Sequence, residues 1–355
     1  MTTASSITVK QGGNPFGAHR VLEPKGGLPQ PALRLDNSTD AIYDNEILVD
    51  VDTLNIDSAS FTQIKGEAGG DEEKIKASIL KIVGERGKMQ NPVTGSGGMF
   101  YGRVAKIGPA LAGKTDLKEG DKIASLVSLS LTPLKIEKIL GIKKGTEQVN
   151  VAAKAVLFES GIYAKIPADM PEKLALAILD VAGAPAQTAK LVRPNQVVVI
   201  IGAGGKSGIL CAYEARKIAG VAGIVVGLEY SKEACAKVKE FGFCHHVIQA
   251  NATDALDCHK KLMEATGGKE ADVVINCVNI PNTEMASILM CKDGGIVYFF
   301  SMATSFTKAA LGAEGVGKDI TMLVGNGYTR HHAETTLNIL RESPAIRAAY
   351  EKQFA

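Results

Sequence analysis

The sequence predicts an α/β protein of two domains, the second of which is built on a doubly wound parallel sheet. Three observations support this prediction. The length of 355 residues exceeds that of one ordinary domain. Up to residue 166, short strand-like runs separated by turns are typical of a barrel-like β unit. Beyond Pro167, strand-like runs alternate with helical stretches, and such alternation requires parallel strands joined by crossover helices.

In the first part of the chain we expect three strands and two helices. The strand-like runs are 47–54, 101–107 and 122–126. Isoleucine and valine recur at helical spacing on a charged background over 71–86, which predicts an amphipathic helix. A second, shorter helix is predicted over 133–140.

In the second part, strands and helices are expected to alternate. The strand-like runs are 197–201, 224–228, 271–278, 296–300 and 320–324. The helical stretches are 208–219, 232–241, 254–265, 283–291 and 332–341. Ser231 and Asn282 occupy positions where helix N-caps are expected, and the last helix is predicted to end before Pro344.

The composition excludes several classes of protein. Forty Lys+Arg against 38 Asp+Glu give a net charge of +2, which argues against a nucleic-acid binder. The sequence lacks the run of roughly 20 apolar residues that a membrane span needs, and Met1–Ser6 does not resemble a secretory signal. All six cysteines follow residue 210 without C-x-x-C spacing, so reduced thiols in a cytoplasmic protein are expected.

The sharpest motif is a glycine-rich turn between the apolar run 197–201 and a helical stretch. Glycines allow a tight turn and a close approach to a diphosphate, and the N–H groups of the next helix point at that anion. The turn therefore predicts a dinucleotide site. Its expected cofactor-binding residues are Gly202, Gly204, Gly205, Lys206, Ser207 and Gly208. A P-loop is excluded, because that motif requires glycine where the chain has Ile200.

Glu229, at the end of the next strand, is predicted to bind the ribose hydroxyls of the cofactor. A carboxylate there favours NAD over NADP, because a 2′-phosphate would meet a negative charge. The neighbouring Tyr230, Ser231 and Lys232 keep NADP possible. Ligands lie beyond the carboxyl ends of parallel strands, so Asn279 and Ser301 are expected near the nicotinamide.

Three cysteine and histidine positions invite other functions. Cys277 could be a nucleophile, although a small packing residue is the favoured interpretation. His245–His246 and His331–His332 have no carboxylate or cysteine at metal-ligand spacing, so surface or helix-end positions are favoured over a metal site.

Four landmarks resemble the medium-chain dehydrogenase/reductase superfamily in type and order. They are Gly102–Gly108, Leu117–Ile123, Val181–Pro185 and Gly294–Val297. The resemblance implies a GroES-like β-barrel catalytic domain over 1–166 and a Rossmann cofactor domain over 167–325. It also implies that 326–355 return to the first domain, and that the protein is a homo-oligomer.

The chain departs from the zinc-dependent members of that superfamily at two positions. Asp57 stands where those members carry their first cysteine ligand, and Gly97-Gly98-Met99 replaces the segment with their histidine. The four-cysteine structural zinc lobe is also missing. We therefore expect a zinc-independent enzyme with no metal site.

Longer stretches resemble the L-erythro-3,5-diaminohexanoate dehydrogenase family of lysine fermentation. They are Leu54–Gln63, Asn91–Met99, Leu157–Ala164, Leu179–Gln187 and Phe299–Phe306. The resemblance implies NAD-linked oxidative deamination of a small diamino acid to 5-amino-3-oxohexanoate and ammonia. Two alternatives remain: an NADPH-dependent quinone or enoyl reductase, and a non-enzymatic nucleotide-binding structural protein or redox sensor.

Amine oxidation needs a general base for the ammonium proton, and carboxylates suit a substrate with two ammonium groups. A carboxylate also stabilises the cationic iminium that develops during the reaction. Asp57 is the first candidate for base or ammonium anchor. Asp180, in an otherwise apolar stretch, and Glu159 are the next candidates.

Overall fold

The computed structural model of the protein describes residues 7–143, 145–325 and 327–354. Residues 1–6, which the sequence analysis excluded as a secretory signal, lie outside this description. The chain forms two compact units, one ending at Asp180 and the other spanning Val181–Gln353. Within the described residues, each helix is too short or too polar to cross a bilayer.

The first unit is mainly β. Its strands are β1 (Thr8–Lys10), β2 (Val21–Glu23), β3 (Arg34–Leu35), β4 (Ala41–Tyr43), β5 (Glu46–Ile56), β6 (Gly98–Ile107), β7 (Lys122–Ser125), β8 (Leu134–Ile142), β9 (Gln148–Phe158) and β10 (Tyr163–Lys165). Its α-helices are α1 (Ser58–Glu67), α2 (Glu72–Arg86) and α3 (Glu172–Leu179). The three predicted strands correspond to β5, β6 and β7, and the predicted amphipathic helix is α2.

A six-stranded sheet in the order β10-β7-β6-β5-β9-β8 forms the body of this unit. Its neighbouring strands are antiparallel, and β5 lies between β6 and β9. Alternate side chains of β5, such as Val49 and Val51, enter the core, and α2 adds Ile75, Ile79 and Val83 to it. The apolar side of α2 and one face of the sheet share this core. Because β5 is held between two strands and by this core, the position of the residues that follow Ile56 is fixed as well.

The predicted helix over 133–140 is wrong, because this segment is the edge strand β8. Leu134, Ile136, Ile139 and Ile142 all pack on the core. Their pairing with β9 shifts register between Ile136 and Lys138 and again between Ile139 and Gly141. Each bulge adds one residue to the two-residue repeat of a strand, so apolar residues recur three apart and imitate a helix.

The second unit alternates strands with helices, as the sequence predicted. Its strands are β11 (Val197–Ile201), β12 (Ile224–Glu229), β13 (His246–Gln249), β14 (Ala271–Asn276), β15 (Cys291–Phe299) and β16 (Thr321–Val324). Its helices are α4 (Gly183–Leu191), α5 (Lys206–Ala219), α6 (Lys232–Phe241), α7 (Ala255–Thr266), α8 (Glu284–Met290), α9 (Phe306–Val316), α10 (His332–Glu342) and α11 (Pro344–Phe354). The six strands are parallel, in the order β13-β12-β11-β14-β15-β16, so the sheet is doubly wound.

Three details of the second unit differ from the sequence expectations. Thr283 rather than Asn282 precedes α8, because Asn282 has a left-handed backbone with φ 68° and its side chain accepts a hydrogen bond from Lys308. The helix predicted near 332–341 does end before Pro344, at Glu342, but it is not the last helix. Pro344 begins α11, in a first-turn position where its missing N–H is not needed. The C-terminal residues up to Gln353 belong to the second unit, since α10 packs on α4 and α5.

Candidate active site and cofactor-binding turn

The glycine-rich turn lies between β11 and α5. Gly202 adopts φ 82°, a left-handed conformation that favours glycine, and its N–H donates to the Leu228 carbonyl at 2.9 Å. Helix α5 begins at Lys206 with Gly205 in the N-cap position and no side-chain cap. The first N–H groups of the helix are therefore left for an anion.

Gly208 allows the first turn of α5 to lie against the glycine-rich turn. A Cβ atom at this position would lie 1.9 Å from the Gly202 carbonyl oxygen and 2.8 Å from Cα of Ala203. Real Cβ contacts are never that short, so only glycine fits. Ser207 is buried beside it, and the Tyr350 hydroxyl donates a hydrogen bond to the carbonyl of Lys206.

Glu229 ends β12 and contacts the glycine-rich turn directly. Its Oε1 accepts a hydrogen bond from the Gly204 N–H at 2.6 Å, and Oε2 accepts one from Tyr230 N–H at 3.3 Å. Lys237 of α6 donates to the Gly204 carbonyl at 3.1 Å. Both backbone polar groups of Gly204 are thus hydrogen-bonded, and the Glu229 carboxylate lies at the edge of the sheet where the parallel strands end.

Strand register brings the remaining cofactor candidates to the same edge. Ile201 pairs with Leu228 and with Asn276, and Asn276 pairs with Phe299, so β11, β12, β14 and β15 end side by side. Ser301 follows β15 and its Oγ accepts from Ala303 N–H at 3.1 Å. Asn279 lies on the loop after β14 and is exposed.

Sequence analysis missed the residue that holds this loop. Asn276 is fully buried, and its Nδ2 donates to Thr283 Oγ1 at 2.8 Å and to Ser287 Oγ at 3.0 Å. Its Oδ1 accepts from Val278 N–H at 3.2 Å. The last residue of β14 therefore fixes the start of the loop that carries Asn279.

Cys277 packs against the core beside Cys211, with 3.9 Å between the two sulfur atoms, and both thiols are free. Burial raises the pKa of the Cys211 thiol well above its usual range. His245 accepts a hydrogen bond from Val225 N–H at 2.9 Å, and His332 is buried. Across the described residues, no group of three His, Cys, Asp or Glu side chains could hold a metal ion.

Asp57 follows the end of β5 and caps α1. Its Oδ1 accepts a hydrogen bond from Ser60 N–H at 3.0 Å, and its own N–H donates to the Gly97 carbonyl at 3.4 Å. Its Oδ2 is buried and has no hydrogen-bond partner among the described residues. Burying a carboxylate oxygen without a hydrogen-bond partner costs free energy of folding. A native protein that keeps such an oxygen is expected to use it for a function.

Three hydroxyl groups lie next to Asp57, and we name them the hydroxyl cluster: Ser60, Thr94 and Ser96. The oxygen–oxygen distances are 2.6 Å between Ser60 and Thr94, 2.8 Å between Ser60 and Ser96, and 3.0 Å between Thr94 and Ser96. Ser60 is fully buried, whereas the other two are half-buried. Sequence analysis missed the cluster, although both family-like stretches, Leu54–Gln63 and Asn91–Met99, contain parts of it.

The segment carrying Thr94 and Ser96 is held on α1. The fully buried Asn91 donates from Nδ2 to Gln63 Oε1 at 2.8 Å, and its backbone N–H donates to the Ser96 carbonyl at 2.9 Å. Gly98 then passes the end of β5 with φ 107°, and a Cβ atom there would lie 2.0 Å from the Asn55 carbonyl oxygen. A metal-ligating side chain therefore cannot replace Gly98 without moving this backbone.

The other two carboxylates predicted for the site lie elsewhere in the first unit. Glu159 follows β9 at the end that pairs with the start of β5, whereas Asp57 follows the far end of that 11-residue strand. The strand separates them by about 30 Å. Glu159 forms an ion pair with Lys114 at 2.8 Å and accepts from Asn45 at 3.2 Å, and these contacts lower its pKa. Asp180 ends α3 as its C-cap and is half-buried.

Two protein families match this chain over separate regions. Residues 19–167 match the family described as L-erythro-3,5-diaminohexanoate dehydrogenase N-terminal domain. Residues 208–340 match the family described as zinc-binding dehydrogenase. The second region lies wholly in the parallel-sheet unit.

A solved mycobacterial structure described as complexed with NADPH shares the fold with a TM-score of 0.54. It is 16% identical and covers 86% of this chain and 81% of its own. At this identity the likeness concerns the fold alone, which is that of medium-chain dehydrogenases and reductases.

Two proteins are much more similar in sequence, and both are named L-erythro-3,5-diaminohexanoate dehydrogenase. The protein from Acetoanaerobium sticklandii is 62% identical over 339 residues, which are 96% of this chain and 98% of the relative. The protein from Fusobacterium nucleatum is 60% identical over 337 residues, covering 95% and 97%. The chain therefore belongs to the L-erythro-3,5-diaminohexanoate dehydrogenase family.

Proposed function

We propose that this dehydrogenase oxidises L-erythro-3,5-diaminohexanoate to 5-amino-3-oxohexanoate and ammonia, with NAD and without zinc. The observation that carries the proposal is the buried, unpartnered Oδ2 of Asp57. A substrate with two ammonium groups supplies the cation that this oxygen lacks. The names of the two similar proteins support the choice of substrate.

Asp57 is proposed as the general base. Carbon–nitrogen oxidation requires a free amine lone pair, so the ammonium group must first lose a proton to a nearby base. Once that proton has passed to solvent, the Asp57 carboxylate stabilises the positive charge that develops on the substrate as an iminium when hydride leaves carbon. Asp57 then takes a proton from the water that attacks the iminium carbon and returns it to the amine nitrogen. Ammonia leaves as the C–N bond breaks, the hydroxyl loses its proton and the carbonyl forms.

The residues of the glycine-rich turn fit a dinucleotide. The conformation of Gly202 and the close packing at Gly208 leave room for a diphosphate against the uncapped start of α5. Bound nicotinamide supplies the hydride acceptor. Glu229 favours NAD, because its carboxylate suits two ribose hydroxyls and repels a 2′-phosphate. Asn279 and Ser301 are proposed to complete the cofactor site at the same sheet edge.

Zinc independence is supported by the donor atoms near Asp57. Asp57 contacts Ser60 and the Gly97 carbonyl, and among the described residues no group of three His, Cys, Asp or Glu side chains could hold a metal ion. Zinc sites in proteins are built from thiolates, imidazoles and carboxylates. The transition state of amine oxidation carries positive charge, so a second cation beside it would oppose the reaction.

The substitution Asp57→Asn tests this proposal. Asparagine keeps an oxygen that can cap α1 through Ser60 but cannot take a proton, so we expect kcat/KM for the diamino acid to fall by roughly 100-fold or more. The matched control is Asp71→Asn, which makes the same change at the N-cap of α2, where Asp71 accepts from Lys74 N–H at 2.9 Å. An Asp57→Asn enzyme with unchanged kcat/KM would remove Asp57 from catalysis.

A further inference from the structure

We propose that the hydroxyl cluster of Ser60, Thr94 and Ser96 binds the second ammonium group of the substrate, the one that does not react. This inference rests on the proposed function, since it takes the reacting amine to lie at Asp57. It assigns to three residues the preference for a diamino acid over a monoamino acid.

The hydrogen-bond count of the cluster favours an ammonium ligand. The three oxygen atoms lie within 2.6–3.0 Å of one another, so each hydroxyl can donate its one proton to the next around a closed ring. A closed ring uses all three protons and leaves one further lone pair on each oxygen, so the cluster can only accept. The spare lone pair of Thr94 already accepts a long hydrogen bond from Ser96 N–H at 3.4 Å, which leaves those of Ser60 and Ser96. An ammonium group has N–H donors and no acceptor, whereas a carboxylate needs donors that such a ring does not offer.

The surroundings of the cluster also favour a cation. Oδ2 of Asp57 is buried without a hydrogen-bond partner among the described residues. A second carboxylate, that of Glu147, lies at the same helix start, where Ser58 Oγ donates to it at 3.0 Å. A substrate carboxylate placed here would meet both negative charges in a partly buried site.

Ser60 joins the cluster to Asp57 and sets their spacing. Its backbone N–H donates to Asp57 Oδ1, and its hydroxyl is one corner of the ring. Through Ser60, the cluster therefore adjoins the Asp57 carboxylate at the start of α1. Thr94 and Ser96 are half-buried and form the accessible side, with buried Ser60 beneath them.

Hydrogen bonds of Asn91 hold the segment that carries Thr94 and Ser96, and they fix the geometry of the hydroxyl cluster. Asn91 ties it to α1 through Gln63, and Asn91 also accepts from Val93 N–H at 2.8 Å. The ring is therefore present before the ligand arrives, which lowers the entropy cost of binding.

The test compares two ligands on three variants. The ligands are 3,5-diaminohexanoate and 3-aminohexanoate, which lacks the second amine. The variants are Thr94→Val, Ser96→Ala and the control Thr62→Val, which removes an exposed hydroxyl from α1. Calorimetry measures Kd for both ligands with NAD present, and kcat and KM are measured for both.

For Thr94→Val and Ser96→Ala we expect Kd and KM of the diamino acid to rise roughly 10-fold, the effect of losing a hydrogen bond to a charged group. kcat should stay close to that of the parent enzyme, and Kd for 3-aminohexanoate should not change. Thr62→Val should change neither ligand. A parent protein that binds the diamino acid through the cluster but does not reduce NAD would contradict the proposed function and leave this inference standing.

Equal losses for both ligands would overturn the inference, because they would show that the hydroxyls only support the fold of the segment. Unchanged binding of the diamino acid in both variants would overturn it as well. So would a parent protein that binds the two ligands equally well.

Discussion

At the scale of single residues, Asp57 and Glu159 differ in their hydrogen-bond and ion-pair partners. Both are acids that follow long strands of one sheet. Glu159 forms an ion pair with Lys114 and accepts a hydrogen bond from Asn45, whereas one oxygen of Asp57 is buried without a partner among the described residues. An acid that already has a cation gains little from binding another, so only Asp57 retains an unmet demand for positive charge.

Glu229 carries a prediction about cofactor choice. The substitution Glu229→Gln removes the charge but keeps an oxygen for Gly204 N–H. We expect the ratio of kcat/KM for NAD to that for NADP to fall by roughly 10-fold, since one charge repulsion near a partly exposed site disappears. The control is Glu233→Gln on exposed α6, which should leave the ratio unchanged. A constant ratio in Glu229→Gln would contradict the assignment of NAD preference to this carboxylate.

Glu46 carries a prediction about acid stability. It is fully buried against Arg20 at 2.7 Å and His19 at 2.7 Å. Burial alone would raise its pKa, but hydrogen bonds from His19 and Arg20 and the charge of Arg20 hold the pKa at about 2, below the ordinary 4.5. The folded state therefore binds this proton less readily than the unfolded state, so the stabilisation is complete above pH 4.5 and is lost as the pH falls toward 2.

The substitution Glu46→Gln measures this effect. Urea unfolding should give a free-energy difference between parent and variant that shrinks by about 3 kcal/mol from pH 7 to pH 2. The neutral variant cannot lose charge on acidification, so it provides the reference at each pH. A difference independent of pH would show that the ion pair does not control acid stability.

At the scale of elements, two glycines within helices allow a controlled comparison, because one is tightly packed and the other is not. Gly208 of α5 has the Gly202 carbonyl where a Cβ would lie, whereas Gly84 of α2 has open space. We expect Gly208→Ala to lower the free energy of unfolding by about 3 kcal/mol and to weaken NAD binding. Gly84→Ala should raise it by up to about 1 kcal/mol through helix propensity. Equal tolerance of both substitutions in urea unfolding would contradict the packing of α5 on its turn.

Elements were predictable where one periodicity ran undisturbed. Five of the six parallel strands and α2 follow from their apolar spacing, whereas the short β13 was not predicted. Strand β8 was missed because two bulges replace the strand repeat with a three-residue one. At the candidate active site, contacts between residues far apart in the sequence limited what could be predicted. Asp57 could be named from the family resemblance, because it stands where zinc-dependent members carry a cysteine ligand. Ser60, in contrast, contacts Thr94 and Ser96 across 34 and 36 residues, and no local pattern in the sequence indicates such contacts.

At the scale of the whole molecule, the chain combines a sheet edge suited to a dinucleotide with a β unit suited to an ammonium group. Register alone brings Gly202, Glu229 and Ser301 to one edge of the parallel sheet. The end of β5 and the segment held by Asn91, both in the other unit, are proposed to bind the ammonium groups of the substrate. The substrate itself could not be derived from these features and comes from the resemblance to similar proteins.

The most direct test of the account is a stoichiometric assay on chelator-treated enzyme with 3,5-diaminohexanoate and NAD. Absorbance would follow reduced nicotinamide while a separate assay follows ammonia. We predict that both products form in equal amounts, at a rate that added zinc does not raise. No absorbance gain with the diamino acid, or activity only after a transition metal is restored, would contradict the account.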